Sequence, residues 1–397
     1  MLLRQGRVVD PALGIDAVRD VRLDSVIVEI GERLEAHPDE VVFDAHGTIV
    51  APGFIDMHVH LREPGDPQKE RLATGGRAAL RGGFTAVACM PNTRPALDEP
   101  YVLEAMTRAV AALGEPMPRV YPIAAITRQR AGRSLCDYGA LALSGAVAFS
   151  DDGATVEDAS LLRRAACAAL VVPAPFISHC EPEEPIAERD LGIARASGKR
   201  WHLAHLSTRA AVEMLQSARG GGAQITAEVT PHHLLCTRAS TQAMGAAASV
   251  HPPLRGEDDV RALRDAVRAG VIDAFASDHA PHTIEEKYGP SPPPGFTGLE
   301  VAVGAYAAAL PDLPIARFVE MLSSAPARIL GIGGGTLQPG SRADITVVRD
   351  VPWRVDARTF VSKGRVTPLD GMVLPRRVVA TIVGGKLLYD ARTALAV

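Results

Sequence analysis

The chain has 397 residues, 47% of them apolar, and a formal net charge of −4. This length suits one large domain with a smaller one, and the apolar fraction is ample for a core. The slightly acidic balance disfavours nucleic acid or an anionic membrane as a partner. No run approaches the roughly 20 apolar residues of a membrane helix, and the N-terminus has no apolar stretch of signal-peptide length.

Five cysteines are scattered along the chain and show no Cys-x-x-Cys spacing. An odd number without a repeated spacing is typical of reduced thiols rather than of a disulfide framework. Together with the absence of a signal-like N-terminus, this pattern predicts a cytoplasmic protein.

The two ends of the chain share a strand-like texture. Residues 1–50 contain short apolar runs, such as 2–9, separated by turn residues, which predicts short antiparallel strands. The same texture returns in 343–348 and 378–389. We therefore expect residues 1–50 and 326–397 to form together one small β-sandwich domain.

Residues 51–325 alternate short apolar strands with helical patterns. The sequence predicts eight strands, near 54–60, 84–90, 120–126, 146–151, 174–179, 201–205, 224–229 and 272–278. Predicted helices between them include 96–113, 155–170, 208–219 and 257–269. Strict alternation indicates an α/β fold with a parallel sheet, and eight units indicate a closed (β/α)8 barrel of the TIM type. The alternative is an open doubly wound sheet, which would lead us to expect a Gly-x-Gly-x-x-Gly loop that the sequence lacks.

The first barrel strand ends in His58-Val59-His60. Side chains alternate faces along a strand, so both imidazoles point the same way and can bind one metal ion. For this short pattern alone, two merely polar residues at a strand end are about as frequent. Arg62 follows directly, and a cation beside a metal pair suggests a site for an anionic substrate.

Other barrel strands also end in potential metal ligands, and chemistry in such barrels takes place where the strands end. Strand four is followed by Asp151 and Asp152, strand five by His179, strand six by His205 and strand eight by Asp278. Each alone is more often a hydrogen-bonded structural residue, but their shared position favours one metal site. Imidazole with carboxylate suits zinc, and there are more ligands than one tetrahedral ion needs.

This set of residues predicts metal-assisted hydrolysis at a carbonyl group, or the reverse reaction. A bound metal lowers the pKa of water from about 15.7 to near 7, which supplies hydroxide at neutral pH. A separate carboxylate can then carry the proton.

At these positions the chain resembles the amidohydrolase superfamily, and within it the long-chain bacterial dihydroorotase family. The matching stretches span the barrel: 52–65, 90–93, 149–153, 229–233 and 278–282. The resemblance implies one or two Zn²⁺ ions, with two favoured, held by His58, His60, Asp152, His179, His205 and Asp278. It also implies that Asp152 bridges the ions, where many relatives use a carboxylated lysine, and that Asp278 is the catalytic base and acid.

The activity implied by the resemblance is the reversible cyclisation of N-carbamoyl-L-aspartate to L-dihydroorotate in pyrimidine synthesis. The substrate carboxylate would then lie against Arg62, Asn92 and His282, with a bidentate guanidinium as the expected clamp. The resemblance also implies a homo-oligomer, and it is compatible with an association with aspartate transcarbamoylase.

The sequence departs from the family pattern in two places. His251 stands where Asn usually precedes Pro-Pro-Leu-Arg, which alters a predicted substrate contact. Segment 181–199, between His179 and His205, is shorter than expected, which predicts a thinner barrel wall. A proline-rich loop at 285–297 should be non-helical and lie on the catalytic face.

Two other functions stay open from the sequence. Hydantoinases and allantoinases share the implied fold but normally carry the lysine bridge, which Asp152 argues against. A non-catalytic relative that only scaffolds aspartate transcarbamoylase would tend to lose metal ligands, whereas this sequence retains the full set.

Overall fold

The N-terminal residues form five strands of a small mixed sheet. The computed structural model describes residues 1–114, 117–219 and 223–391. The first strands are β1 (Leu2–Asp10), β2 (Ile15–Leu23), β3 (Ile27–Gly31), β4 (Val42–Asp44) and β5 (Ile49–Pro52). β2 pairs antiparallel with β1 and with β3, whereas β4 and β5 run parallel to β1. The predicted strands are confirmed, but not all of them are antiparallel.

Eight parallel strands build the closed barrel that the sequence predicts. They are β6 (Phe54–Val59), β7 (Phe84–Cys89), β8 (Arg119–Ala124), β9 (Ala148–Phe149), β10 (Phe176–Ser178), β11 (Trp201–Leu203), β12 (Ile225–Val229) and β13 (Ala274–Phe275). Strands adjacent in sequence are adjacent in the sheet. The barrel closes because Val59 forms a parallel bridge with His279, whose carbonyl accepts from the His60 amide at 2.8 Å. The carboxyl ends of the strands therefore meet at one mouth.

Helices follow the barrel strands and cover them. They are α1 (Leu72–Arg81), α2 (Pro100–Ala111), α3 (Tyr138–Leu143), α4 (Ala159–Ala168), α5 (Glu183–Ser197), α6 (Arg209–Arg219), α7 (Pro231–Leu235), α8 (Arg238–Met244), α9 (Glu257–Arg268), α10 (Ile284–Lys287), α11 (Ala302–Ala309), α12 (Ile315–Leu322) and α13 (Ser324–Leu330). α9 carries three acidic residues in its first turn and Arg268 in its last, which suits the helix dipole, and it buries Leu263 against the barrel. None of the helices in the described ranges has the length and apolar character needed to cross a bilayer.

The C-terminal strands join the N-terminal ones in the same sheet. They are β14 (Ile345–Arg354), β15 (Val373–Val383) and β16 (Lys386–Asp390), and the sheet order is β16, β15, β14, β5, β1, β2, β3, with β4 beside β1. An apolar core of its own, including Val8 and Val347, stabilises this part of the molecule. The predicted small β domain from both ends of the chain is confirmed, and its hydrogen bonds connect it as one continuous mixed sheet.

The short connection between β10 and β11 contains one helix, as predicted. α5 ends before Gly198, whose φ of 70° is the left-handed conformation that glycine adopts without strain. Ala187, Leu191 and Ala194 of α5 are buried, and β10 pairs with β11 beside it. The barrel wall is continuous here, so the expected thinning is not found.

The segment after the last barrel strand lies over the mouth of the barrel. α10 includes residues 285–287, so the prediction that the loop is wholly non-helical was wrong at its start. A capping box between Thr283 and Glu286 explains this turn of helix, because each side chain bonds the other residue's backbone amide. The remainder is irregular and contributes to the site described next.

Candidate active site

A cavity of about 220 Å³ lies at the mouth of the barrel. Nine of the ten residues that the sequence assigns to the site line it: His60, Arg62, Asn92, Asp152, His179, His205, His251, Asp278 and His282. The tenth, His58, is fully buried beside Asp152 and Asp278. Pro293, Pro294 and Gly295 add the lining from the loop after α10. The structure thus brings the whole predicted set to one place.

The two imidazoles at the end of β6 face two carboxylates. His58 Nε2 lies 3.3 Å from Asp152 Oδ1 and 3.6 Å from Asp278 Oδ1. His60 Nε2 lies 3.2 Å from Asp278 Oδ1 and 3.4 Å from Asp152 Oδ2. The strand geometry predicted from the His-x-His spacing therefore holds, and both rings converge on the same acids.

A second imidazole pair approaches Asp152. His179 Nδ1 is 3.4 Å and His205 Nε2 is 3.7 Å from Asp152 Oδ1, and the two ring nitrogens are 3.0 Å apart. Asp152 consequently lies between the two pairs of histidines. Its neighbour Asp151 instead accepts hydrogen bonds from the backbone amides of Ile126 and Thr127, which ties the end of β9 to the loop after β8.

The donor atoms fit a divalent metal ion. Two overlapping groups, His58 with Asp152 and His205, and His58 with His60 and Asp278, each hold three ligand atoms within 4.8 Å of one another. His58 Nε2 and Asp152 Oδ1 are buried and have no hydrogen-bond partner among the described residues. Because buried polar atoms are rarely left unpaired, two such atoms aimed at a shared centre indicate a metal site.

Hydrogen bonds behind the cluster fix the tautomers of His58 and His60. His58 Nδ1 lies 2.7 Å from Glu228 Oε1, and His60 Nδ1 lies 2.8 Å from Asn92 Oδ1. Both oxygens can only accept, so each ring carries its proton on Nδ1 and directs the Nε2 lone pair at the cluster. Such partners orient metal-binding histidines and raise their basicity.

Glu228 is a residue of the candidate site that the sequence analysis missed. It is fully buried in β12, and its second oxygen lies 3.2 Å from His202 Nε2. A charged residue inside the short strand Ile225–Val229 was the available signal.

The electrostatics of the cluster favour bound positive charge. Burial alone would raise the pKa of Asp152, but His58, His179 and His205 hold that pKa well below its usual range. Burial would also raise the pKa of Asp278, but the histidines around this carboxylate outweigh burial and lower its pKa. In His58, the nearby acids Asp152 and Glu228 outweigh burial and raise the imidazole pKa, so a metal ion that binds Nε2 displaces a proton from that atom. Both cluster aspartates are therefore ionised at neutral pH, as metal ligands must be.

Backbone conformation at the site is unusual. His205, Asp278 and Arg62 have positive φ values of 32°, 48° and 62°, a region that non-glycine residues seldom occupy. Such strain concentrates at functional sites, where the surrounding structure enforces it. Two of these three residues belong to the candidate metal groups.

Arg62 gives one side of the cavity its positive charge, and the His282 ring lies beside it. Burial and the charge of Arg62 lower the pKa of His282 to about 3, so the ring is neutral. His282 Nε2 lies 2.9 Å from the Pro294 carbonyl, which requires the single ring proton on that atom. His282 Nε2 then cannot accept a hydrogen bond from Arg62 Nη2, which lies 3.3 Å away. Arg62 Nη2 therefore stays available to donate to a ligand. His251 is exposed at the rim of the same cavity.

A closed parallel barrel with buried His and Asp groups at its mouth defines a metal-dependent hydrolase, and the family model described as "Amidohydrolase family" matches residues 49–388. The chain is 40% identical to the dihydroorotase of Anaeromyxobacter dehalogenans (strain 2CP-C) over 425 positions, covering 98% of both chains. It is 42% identical to the dihydroorotase of Pelotomaculum thermopropionicum, over 99% of both chains. The chain therefore belongs to the amidohydrolase family and, within it, to the dihydroorotases. The family predicted from the sequence is confirmed, and so is a metal-dependent cyclic amidohydrolase.

Solved structures support the fold. The L-hydantoinase of Arthrobacter aurescens superposes with a TM-score of 0.87 at 21% identity, covering 98% of this chain and 96% of the other. A D-hydantoinase of Thermus sp. superposes with a TM-score of 0.84 at 23% identity, covering 98% and 95%. At such low identity these structures are similar in fold alone.

Proposed function

We propose that this chain catalyses the reversible cyclisation of N-carbamoyl-L-aspartate to L-dihydroorotate. One observation carries the proposal: four imidazoles from the ends of barrel strands each lie within 4 Å of one of two carboxylates, Asp152 or Asp278, at the mouth of the barrel. The relatives that share about 40% of the sequence over its full length bear the name of this activity.

We propose zinc as the metal, with two ions. His58, His60 and Asp278 would hold the first ion and His179 with His205 the second. Asp152 would be a ligand shared by both ions, since its Oδ2 lies 3.4 Å from His60 and its Oδ1 lies 3.4 Å from His179. His58 offers a single lone pair because its other nitrogen bonds Glu228, so it serves one ion only. Bound zinc would polarise the carbonyl group and lower the pKa of water to about 7.

Asp278 would move the proton. Ring opening needs a base that accepts a proton from water and an acid that returns it to the leaving ring nitrogen, and one carboxylate can do both in turn. Asp278 lines the cavity and is ionised at neutral pH, which is the form in which a carboxylate accepts a proton. Ring closure uses the same steps in the opposite direction.

Arg62, Asn92 and His282 would bind the substrate carboxylate. Arg62 retains a free Nη donor, and Asn92 uses its oxygen on His60, which leaves its Nδ2 as a donor. His251 would contact the substrate from the rim. A cationic side in the cavity favours a carboxylated substrate over the neutral rings of hydantoinases, and the complete ligand set disfavours a purely scaffolding role.

Comparing substrates tests the proposed function. We expect the purified metal-loaded protein to open L-dihydroorotate with a kcat/KM at least about 100-fold above that for hydantoin or allantoin, because only dihydroorotate satisfies the cationic side of the cavity. Ring opening is followed by loss of absorbance in the far ultraviolet. Preference for hydantoin, or no turnover with full metal occupancy, would exclude the proposal.

We also propose a cellular location and an assembly for the enzyme. Five free cysteines support a reducing compartment, so we propose a cytoplasmic location. A homo-oligomer and an association with aspartate transcarbamoylase are proposals that depend on the family resemblance.

A further inference from the structure

A second cavity adjoins the catalytic one. It has a volume of about 750 Å³ and shares three lining residues with the catalytic cavity, namely Arg62, Asn92 and Gly153. We call it the outer cavity. Because the two cavities meet at residues assigned to the substrate carboxylate, any group at this boundary can contribute to recognition of the substrate.

Arg130 lines the outer cavity beside this boundary and, like Arg62 at the boundary itself, has no ion pair among the described residues. The outer cavity also contains Lys69, Arg94 and Arg128, and each of these forms an ion pair with an acid, Glu286, Asp66 and Glu99 respectively. Within the described residues, Arg130 has no carboxylate oxygen within 4 Å of its guanidinium nitrogens. A half-buried guanidinium without a paired anion is costly unless a ligand supplies the negative charge.

The contacts of Arg130 leave part of its guanidinium unused. Its Nη2 donates to the main-chain carbonyl of Asp152 at 2.8 Å. Its Nε is buried and has no hydrogen-bond partner among the described residues. The single bond to Asp152 orients the guanidinium, and further donor capacity remains for a bound anion.

The backbone that carries Arg130 is strained. Gln129 and Arg130 both have positive φ values, 55° and 56°, in consecutive positions. The strain is held in place because the Gln129 amide donates to Asp98 Oδ2 at 2.7 Å and the Gly132 amide donates to Thr127 Oγ1 at 2.9 Å. Strained backbone that neighbouring groups enforce is typical of sites that position a side chain for function.

Gly153 keeps a small space open between two donors. A Cβ at this position would lie 3.2 Å from Asn92 Nδ2 and 3.4 Å from Arg130 Nη2, and the residue has a φ of 77°. The two nitrogens therefore approach one point that only glycine leaves free. A carboxylate oxygen near that point could accept from both, because charge-assisted N–H···O⁻ bonds form at about 2.7–2.9 Å.

We propose that Arg130 is a further substrate-recognition residue, which binds the ring carboxylate together with Asn92 and adds to the clamp of Arg62. This inference extends the proposed function, since it concerns the carboxylate of the same substrate. It makes Arg130 a determinant of specificity for carboxylated rings over neutral cyclic amides.

Variants at Arg130 test the inference through kinetics and bound metal. Arg130→Gln should raise the KM for L-dihydroorotate at least about tenfold, with kcat changed less than about threefold and metal content unchanged. Arg130→Lys retains the charge and should recover part of the affinity. Arg133→Gln, in an exposed side chain of the same loop outside both cavities, should behave as the wild type.

A binding measurement separates this inference from the proposed function. Titration calorimetry with orotate and with uracil compares rings with and without the carboxylate and needs no turnover. Arg130→Gln should weaken orotate binding about tenfold and leave uracil unchanged, even if the wild type proves inactive on dihydroorotate. Unchanged orotate affinity, or a lower kcat and metal content with unchanged KM, would overturn the inference, because Arg130 would then act only through Asp152.

Discussion

Replacing Asp278 with Asn should lower kcat for L-dihydroorotate by at least about 10³-fold, within the range that loss of a general acid–base group produces. The amide cannot accept a proton from water or return one to the ring nitrogen. Its oxygen can still ligate, so most of the metal should remain. The position also carries strain, with a φ of 48°, which Asn tolerates better than most residues.

Steady-state kinetics and metal analysis of the same preparation check this result. Asp258→Asn serves as the control, because its side chain is exposed on α9, far from the cavity lining. If Asp278→Asn kept activity within about tenfold of the wild type at full metal content, Asp278 would not be the proton carrier.

Replacing His58 with Gln should remove nearly all bound metal and lower kcat/KM by at least about 10³-fold. His58 is the residue common to both candidate metal groups, and its Nε2 is a buried atom without another partner among the described residues. In the proposed assignment His58 ligates only the first ion, but the two ions share Asp152, so loss of the first ion also weakens binding of the second. Glu228 keeps His202 as a partner, so the loss of His58 does not leave that buried acid isolated.

Metal content by mass spectrometry, together with a thermal unfolding curve, distinguishes loss of ligation from loss of the fold. His37→Gln is the matched control, because His37 is exposed in the loop between β3 and β4. A folded His58→Gln protein that retained two ions per chain would contradict the assignment of ligands.

Much of the site could be predicted from the sequence because all strands of a parallel barrel end at the same side of the sheet. Residues at or just beyond the carboxyl ends of its strands meet at one mouth, so His58, Asp152, His179, His205 and Asp278 could be grouped before any coordinates. The structure brings them together as expected. Their individual roles as ligands and as base stay predictions.

Residues of the site that do not lie at the ends of barrel strands could not be predicted by this rule. Glu228 lies within a strand, where an acid is an unusual residue, but the sequence does not say which group it contacts, and its bond to His58 is seen only in the structure. Arg130 lies in a loop whose position depends on two consecutive positive φ values. Local sequence pattern does not specify such a conformation when neither residue is glycine.

In the small sheet, the positions of the strands could be predicted from the sequence, but their pairing could not. Strand positions near both ends of the chain follow from local texture, but β5 pairs with β1 on one side and with β14 on the other. The β5–β14 pairing joins segments almost 300 residues apart in sequence, and no periodicity within either strand selects its partner. The domain boundaries at residues 50 and 325 stay predictions.

Metal reconstitution tests the central claim most directly. The protein is stripped with a chelator, titrated with Zn²⁺, and assayed for opening of L-dihydroorotate after each addition. We predict that activity is absent without metal and rises in step with bound zinc to about two ions per chain, since imidazoles and acids from separate strands form the site. Full ring-opening activity in the metal-free protein would contradict the account.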